Sequence, residues 1–231
     1  MKTLGIIGGI GPESTIDYYR QIIDLYRRRL QDGSYPAIII NSVDMMAMLY
    51  LIERNEVASL TDYLLGEIQK LAMAGADFGI MASNSPHIVF DELASRSPIP
   101  LISIVKSACE AAKELGLKRV GLLGTRFSMQ GSFYPEVLSR EGITVVTPTS
   151  KEQTYIHDKY MNELVNGIFA PETRDRLLTI VERLVEHDGI EGLILGGTEL
   201  PLILPEEDYD GVPFLNTTKI HVERAVAEML G

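Results

Sequence analysis

Cysteine is nearly absent: Cys109 is the only one in 231 residues. One thiol excludes an intramolecular disulfide and a cysteine-based zinc site, and it fits a reducing cytoplasm. Positive charge is also short. With 21 Lys and Arg against 32 Asp and Glu the net charge is −11, so the chain repels nucleic-acid phosphates in bulk. Its one basic cluster, Arg27-Arg28-Arg29, ends a predicted helix, where it complements the helix dipole. No apolar run approaches the roughly 20 residues that cross a bilayer. Met1-Lys2-Thr3-Leu4 leads straight into a strand-like segment, without the pattern of a signal peptide. A cytoplasmic protein is expected, with neither a nucleic-acid nor a membrane partner. There is no dinucleotide fingerprint and no phosphate-binding loop with its lysine. His, Asp, Glu and Cys nowhere recur with metal-ligand spacing. Neither a metal nor a cofactor is therefore expected.

Apolar sequence is plentiful, at 45% of residues, enough for one large core or two small ones. Short continuous apolar runs at 4–7, 37–40, 78–81, 101–104, 120–123, 143–146 and 193–195 read as strands buried on both faces. Helical patterns separate them. Ile16, Tyr19, Ile23, Tyr26 and Leu30 keep helical spacing, as do Leu177, Ile180, Val181, Leu184 and Val185 ahead of Gly189. Ser150 with Gln153 has the pattern of a capping box before a helix over 155–164. This alternation predicts an α/β fold. The chain also repeats faintly. Gly5-Ile6-Ile7-Gly8-Gly9 resembles Gly121-Leu122-Leu123-Gly124-Thr125, and two polar loops after apolar runs, near 83 and 197, lie at almost the same separation. Two similar doubly wound parallel-sheet domains with pseudo-twofold symmetry and an interdomain cleft are predicted, 1–98 plus 212–231 and 99–211. The first crossover is expected near 96–100. The return is expected near 205–212, carrying a final helix over 217–229 back to the first half.

The two loops are Ala82-Ser83-Asn84-Ser85-Pro86-His87 and Gly196-Gly197-Thr198-Glu199. Polar turns at the carboxyl ends of buried strands are where open α/β sheets bind ligands. Ser83, Asn84 and Ser85 offer hydroxyls, an amide and backbone N–H groups. Thr198 does the same from the second loop, and Thr125 adds another polar strand end. Convergent neutral donors suit a carboxylate; ordinary loop chemistry is the competing reading. Gly9 and Gly11, after the first strand, let a ligand approach the backbone at a helix start, or simply make a packing turn. Lys159 and Arg126 are candidate partners for a substrate carboxylate. His157, His187 and His221 sit in no motif and read as packing or surface. Met45, Met46 and Met48 read as adaptable packing.

Together these motifs resemble the aspartate/glutamate racemase family. The match runs through Gly8-Gly9-Ile10-Gly11-Pro12 with Thr15, Asn41-Ser42-Val43-Asp44, Asn84-Ser85-Pro86-His87, the segment 121–125 and Thr198-Glu199-Leu200-Pro201, in the family's order over nearly the whole chain. The resemblance implies an interdomain active site and stereoinversion of aspartate, glutamate or a similar small amino acid without pyridoxal phosphate. It also implies, commonly, a homodimer. It further implies two cysteines flanking the substrate α-carbon, one thiolate removing the α-proton while the facing thiol delivers another. Those positions fall on Ser83 and Gly197, and neither is cysteine here. Serine is a poor base without an adjacent activator, and glycine has no side chain. His87, four residues from Ser83, is a candidate base for it, although histidine there also matches the family. Glu199 is a candidate for the missing second acid or base, since burial raises a carboxyl pKa; alternatively it contacts a substrate ammonium. Cys109 lies outside every motif and reads as buried packing. The expected activity is that of a racemase-family isomerase with altered or reduced stereoinversion. The alternatives are a catalytically silent carboxylate- or amino-acid-binding protein, or a related lyase or cis–trans isomerase.

Overall fold

The structure, a computed structural model, describes residues 1–205 and 207–231. The chain divides into two compact units, residues 1–104 with 221–231 and residues 105–220. The first runs β1 (Leu4–Gly8), α1 (Pro12–Leu30), β2 (Ile38–Ser42), α2 (Met45–Glu53), α3 (Val57–Met73), β3 (Phe78–Met81), a short 3-10 helix Ser85–Val89, α4 (Phe90–Arg96) and β4 (Leu101–Ile102). Its sheet has the order β2-β1-β3-β4, parallel throughout. Helix α5 (Ile104–Glu114) leads into the second unit. There follow β5 (Arg119–Gly124), α6 (Arg126–Gln130), α7 (Phe133–Ser139), β6 (Thr144–Val146), α8 (Ser150–Asn162), α9 (Pro171–Glu186), β7 (Gly192–Gly196), α10 (Leu200–Ile203), β8 (Asp208–Tyr209), β9 (Val212–Asn216) and finally α11 (Thr217–Leu230). The second sheet has the order β6-β5-β7-β9, parallel, with β8 added antiparallel beside β9. Counted within its own unit, each parallel sheet runs second-first-third-fourth. The faint sequence repeat is thus a repeat of topology, of the doubly wound kind whose ligands sit at the carboxyl ends of the strands.

Several expectations shift in detail. Residues 212–220, expected in the first domain, belong to the second unit, because β9 pairs with β7 through Leu193–Phe214, Ile194–Leu215 and Leu195–Asn216. Pro213 disguises that strand, since proline lacks the donor that a ladder uses. The buried face of α1 carries Ser14, Tyr18, Ile22 and Tyr26, while Ile16 and Tyr19 are exposed. Two apolar stripes share this helix, and the one with the bulkier i, i+4, i+8 set faces the core. The capping box before α8 is formed by Thr149 and Glu152, one residue earlier than Ser150 and Gln153. Thr149 has the extended backbone of an N-cap (φ −59°, ψ 156°), and its hydroxyl accepts from the Glu152 N–H. Gln153 instead clamps the segment before the helix, donating to the Pro148 carbonyl at 2.8 Å.

In the first unit, α11 returns to complete the core. Val222, Ala225, Val226 and Met229 pack with Leu4, Ile6, Tyr18, Ile22, Phe78 and Ile80. His221 pins this helix. Its Nε2 lies 3.0 Å from the Ile102 carbonyl, which can only accept, so Nε2 carries the proton. Nδ1 then accepts the Tyr18 O–H at 2.9 Å. Both nitrogens are satisfied in a neutral ring, and burial pushes its pKa down to about 4.

A pH dependence follows. The unfolded chain takes up a proton near 6.5 that the folded ring refuses until pH about 4. Stability is therefore complete above 6.5 and falls as pH drops toward 4. The loss from this group is roughly 3 kcal/mol. Urea unfolding across this range is expected to show that slope, and His221→Gln is expected to flatten it. Identical slopes for the two proteins would contradict the assignment.

Candidate active site

In the first unit the loop after β3 is buried and held from several sides. The Ala82 N–H donates to the Ile7 carbonyl at 2.9 Å. Ser14, itself fully buried, donates its hydroxyl to the Ala82 carbonyl at 2.8 Å. These bonds tie the loop to β1 and to the first turn of α1. Ser83, Asn84, Ser85 and His87 are all buried. Asn84 caps the 3-10 helix, and its carbonyl accepts from the His87 N–H at 3.0 Å. The structure therefore gathers Ser83, Asn84 and Ser85, all buried, at one strand end.

His87 bonds to the start of α5. Its Nε2 accepts the Ile104 N–H at 3.1 Å, and its ring stacks on Phe90 with centroids 5.0 Å apart. That bond engages the Nε2 lone pair and leaves Nδ1 as the protonated nitrogen of the neutral ring. His87 thus ties this loop to the start of α5.

In the second unit the loop after β7 carries Gly197, Thr198 and Glu199. Glu199 is 1% exposed. Its Oε2 accepts a hydrogen bond from the Tyr160 hydroxyl and another from the Thr198 hydroxyl at 3.1 Å. The Glu199 N–H approaches the Tyr160 oxygen at 3.4 Å. Burial, reinforced by the Glu199 charge, pushes the Tyr160 phenol well above its ordinary range, so it stays protonated as a donor. The Tyr160 ring lies where a side chain at residue 197 would project. A Cβ there would meet ring Cε2 at 2.5 Å and the phenolic oxygen at 2.9 Å. Sequence reasoning missed Tyr160, because a tyrosine inside a helix reads as packing. The available signal was Gly197 itself: a vacated side-chain volume beside a buried acid has to be filled from elsewhere.

The other candidates also make contacts within the fold. Gly9 sits at φ +84°, and a Cβ there would meet the Val43 carbonyl oxygen at 2.5 Å; its N–H donates to the Thr15 hydroxyl at 2.8 Å. It is a packing turn joining the ends of β1 and β2. Gly11 is the N-cap of α1, followed by Pro12. Thr125 caps α6. Lys159 pairs with Glu163 on α8, which holds its ammonium pKa up. The guanidinium of Arg126 lies over Phe127 at 5.7 Å, and the His157 ring meets Phe127 edge-on. Cys109 is buried in α5. Among the described residues no three His, Cys, Asp or Glu side chains gather as a metal set, and no helix is long and apolar enough to cross a membrane.

Comparison with known proteins agrees with this architecture. A model of the Asp/Glu/hydantoin racemase family matches residues 7–225. The broad specificity amino-acid racemase RacX of Bacillus subtilis is 24% identical over 237 residues, covering 98% of each chain. Among solved structures, an aspartate racemase homologue from Pyrococcus horikoshii is 32% identical, covers both chains completely and superposes with a TM-score of 0.83. The aspartate racemase of Picrophilus torridus, 20% identical and covering 99% of this chain and 94% of its own, shares the fold with a TM-score of 0.81.

The packing of Tyr160 against Gly197 yields a stability test. Gly197→Cys is expected to cost about 1–3 kcal/mol by overpacking. Tyr160→Ala alone opens a cavity, but it relieves the clash, so the double variant is expected to lose less than the two separate losses together, by roughly 1 kcal/mol or more. Thermal or urea unfolding of the four proteins measures this coupling. Additive losses would show that the two residues do not share the space.

Proposed function

Since the chain belongs to the Asp/Glu/hydantoin racemase family, we propose that it is an amino-acid racemase-like isomerase acting on aspartate, glutamate or a similar small carboxylic amino acid without pyridoxal phosphate. One observation carries this reading. The buried loops at Ser83 and Gly197 follow β3 and β7, the third strand of each unit's parallel sheet. In sheets of this order the carboxyl strand ends hold the ligand. Ser83, Asn84 and Ser85 bring neutral groups suited to a carboxylate, and the corresponding loop of the second unit brings the Thr198 hydroxyl. With Ser83 and Gly197 in the two thiol positions, stereoinversion is slower than in an enzyme that has both thiols.

We place the protein in the cytoplasm, in line with its single buried cysteine, and take it to work as a homodimer. Support for the dimer comes from the first unit, where Ile16, Tyr19, Ile40, Met46 and Tyr50 are all exposed. Sedimentation equilibrium at micromolar concentration is expected to return twice the chain mass, and a monomer would contradict it.

The activity is tested by incubating each enantiomer of aspartate and glutamate with the protein and following conversion by chiral chromatography. Slow interconversion of at least one pair is expected, falling about tenfold or more in Ser83→Ala. Binding measured by calorimetry with no conversion of any enantiomer would indicate a carboxylate-binding protein instead. A deaminated, decarboxylated or isomerised product would indicate a lyase or cis–trans isomerase.

A further inference from the structure

Gly197 and Tyr160 are best understood together. The side chain absent at residue 197 is replaced in space by a phenol from α8, with its oxygen 2.9 Å from the point where a Cβ at 197 would stand. That phenol is not an inert filler, since its proton is directed at Oε2 of Glu199. The same oxygen receives the Thr198 hydroxyl at 3.1 Å. All three side chains are buried within the second unit. A packing residue has no need of a hydroxyl aimed at a buried carboxylate, and burying that carboxylate costs free energy that a phenylalanine–glutamine pair would avoid.

We infer that Tyr160 and Glu199 form a proton relay that replaces the missing thiol, with the Tyr160 oxygen facing the substrate α-carbon and Glu199 as the final acceptor. The inference rests on the racemase reading above. The step balances without any further reactant. The Cα–H bond breaks and its proton bonds to the Tyr160 oxygen. The former phenolic proton passes to Glu199 Oε2, so the carboxylate becomes a carboxylic acid. The electron pair stays on the substrate as a carbanion conjugated with its own carboxylate. Reversal returns a proton to the same face. A free-standing phenolate plays no part, because burial beside the Glu199 charge opposes its formation; the phenol hands one proton on as it takes another. In this relay Tyr160 is the catalytic residue, and Glu199 acts through it.

Deuterium wash-in at Cα, followed by proton NMR in heavy water with L- and D-aspartate and L- and D-glutamate, tests the relay. Wild-type protein is expected to exchange the α-proton of at least one enantiomer. Tyr160→Phe keeps the ring against Gly197 and removes only the hydroxyl. It is expected to lower the saturated exchange rate by about 100-fold or more, while the half-saturating concentration stays within about threefold. Glu199→Gln is expected to show the same loss, and its residual rate is expected to lack the acid limb of the wild-type pH profile. If wild type exchanges and Tyr160→Phe does so at a comparable rate, the relay is wrong and the racemase reading stands. If wild type binds these amino acids and exchanges none of them, both are wrong.

Discussion

A bare α-carbon at residue 197 lets an aromatic ring lie against the end of β7, and the contact fixes one buried hydrogen bond between a phenol and a carboxylate. An ionised carboxylate cut off from water costs several kcal/mol unless donors surround it. Glu199 meets that demand with the hydroxyls of Tyr160 and Thr198. A side chain at 197 would push the ring away and disrupt the Tyr160–Glu199 hydrogen bond. The glycine, the tyrosine and the acid are therefore interdependent, though they come from α8 and from the loop after β7.

Both units place a polar loop after the third strand of the same sheet order, but they fill it differently. The first unit presents hydroxyls and an amide, and spends its histidines on architecture. His87 accepts the first N–H of α5, and His221 joins α11 to Tyr18 and to the end of β4. The second unit presents an acid and a phenol. Many of the family's motif residues serve the frame: Gly9 as a tight turn, Thr15 as the acceptor for its N–H, Asp44 as the cap of α2 and Thr125 as the cap of α6. Such residues hold strand ends close together.

Much of this was legible in sequence, for identifiable reasons. Strands covered on both faces are continuous apolar runs, so β1, β3, β5 and β7 stood out. What escaped notice depended on three-dimensional competition. Strand β9 contains Pro213 and follows a turn-rich segment, so it resembled a crossover. In α1 two apolar stripes competed, and only packing chose Tyr18 and Ile22 over Ile16 and Tyr19. Thr149 and Ser150 both begin a capping pattern, and backbone geometry chose the first. Ser83, Asn84, Ser85, Thr198 and Glu199 were visible as strand-end polar residues. Tyr160 lies far from Glu199 in sequence, and no local pattern connects them.

The most direct measurement is a crystal structure of the protein with L- or D-aspartate bound. The account predicts the substrate α-carbon within about 3.5 Å of the Tyr160 oxygen, with Glu199 on the far side of that oxygen. An aspartate bound elsewhere, or bound at Ser83 with the Tyr160 hydroxyl enclosed only by protein atoms, would contradict it.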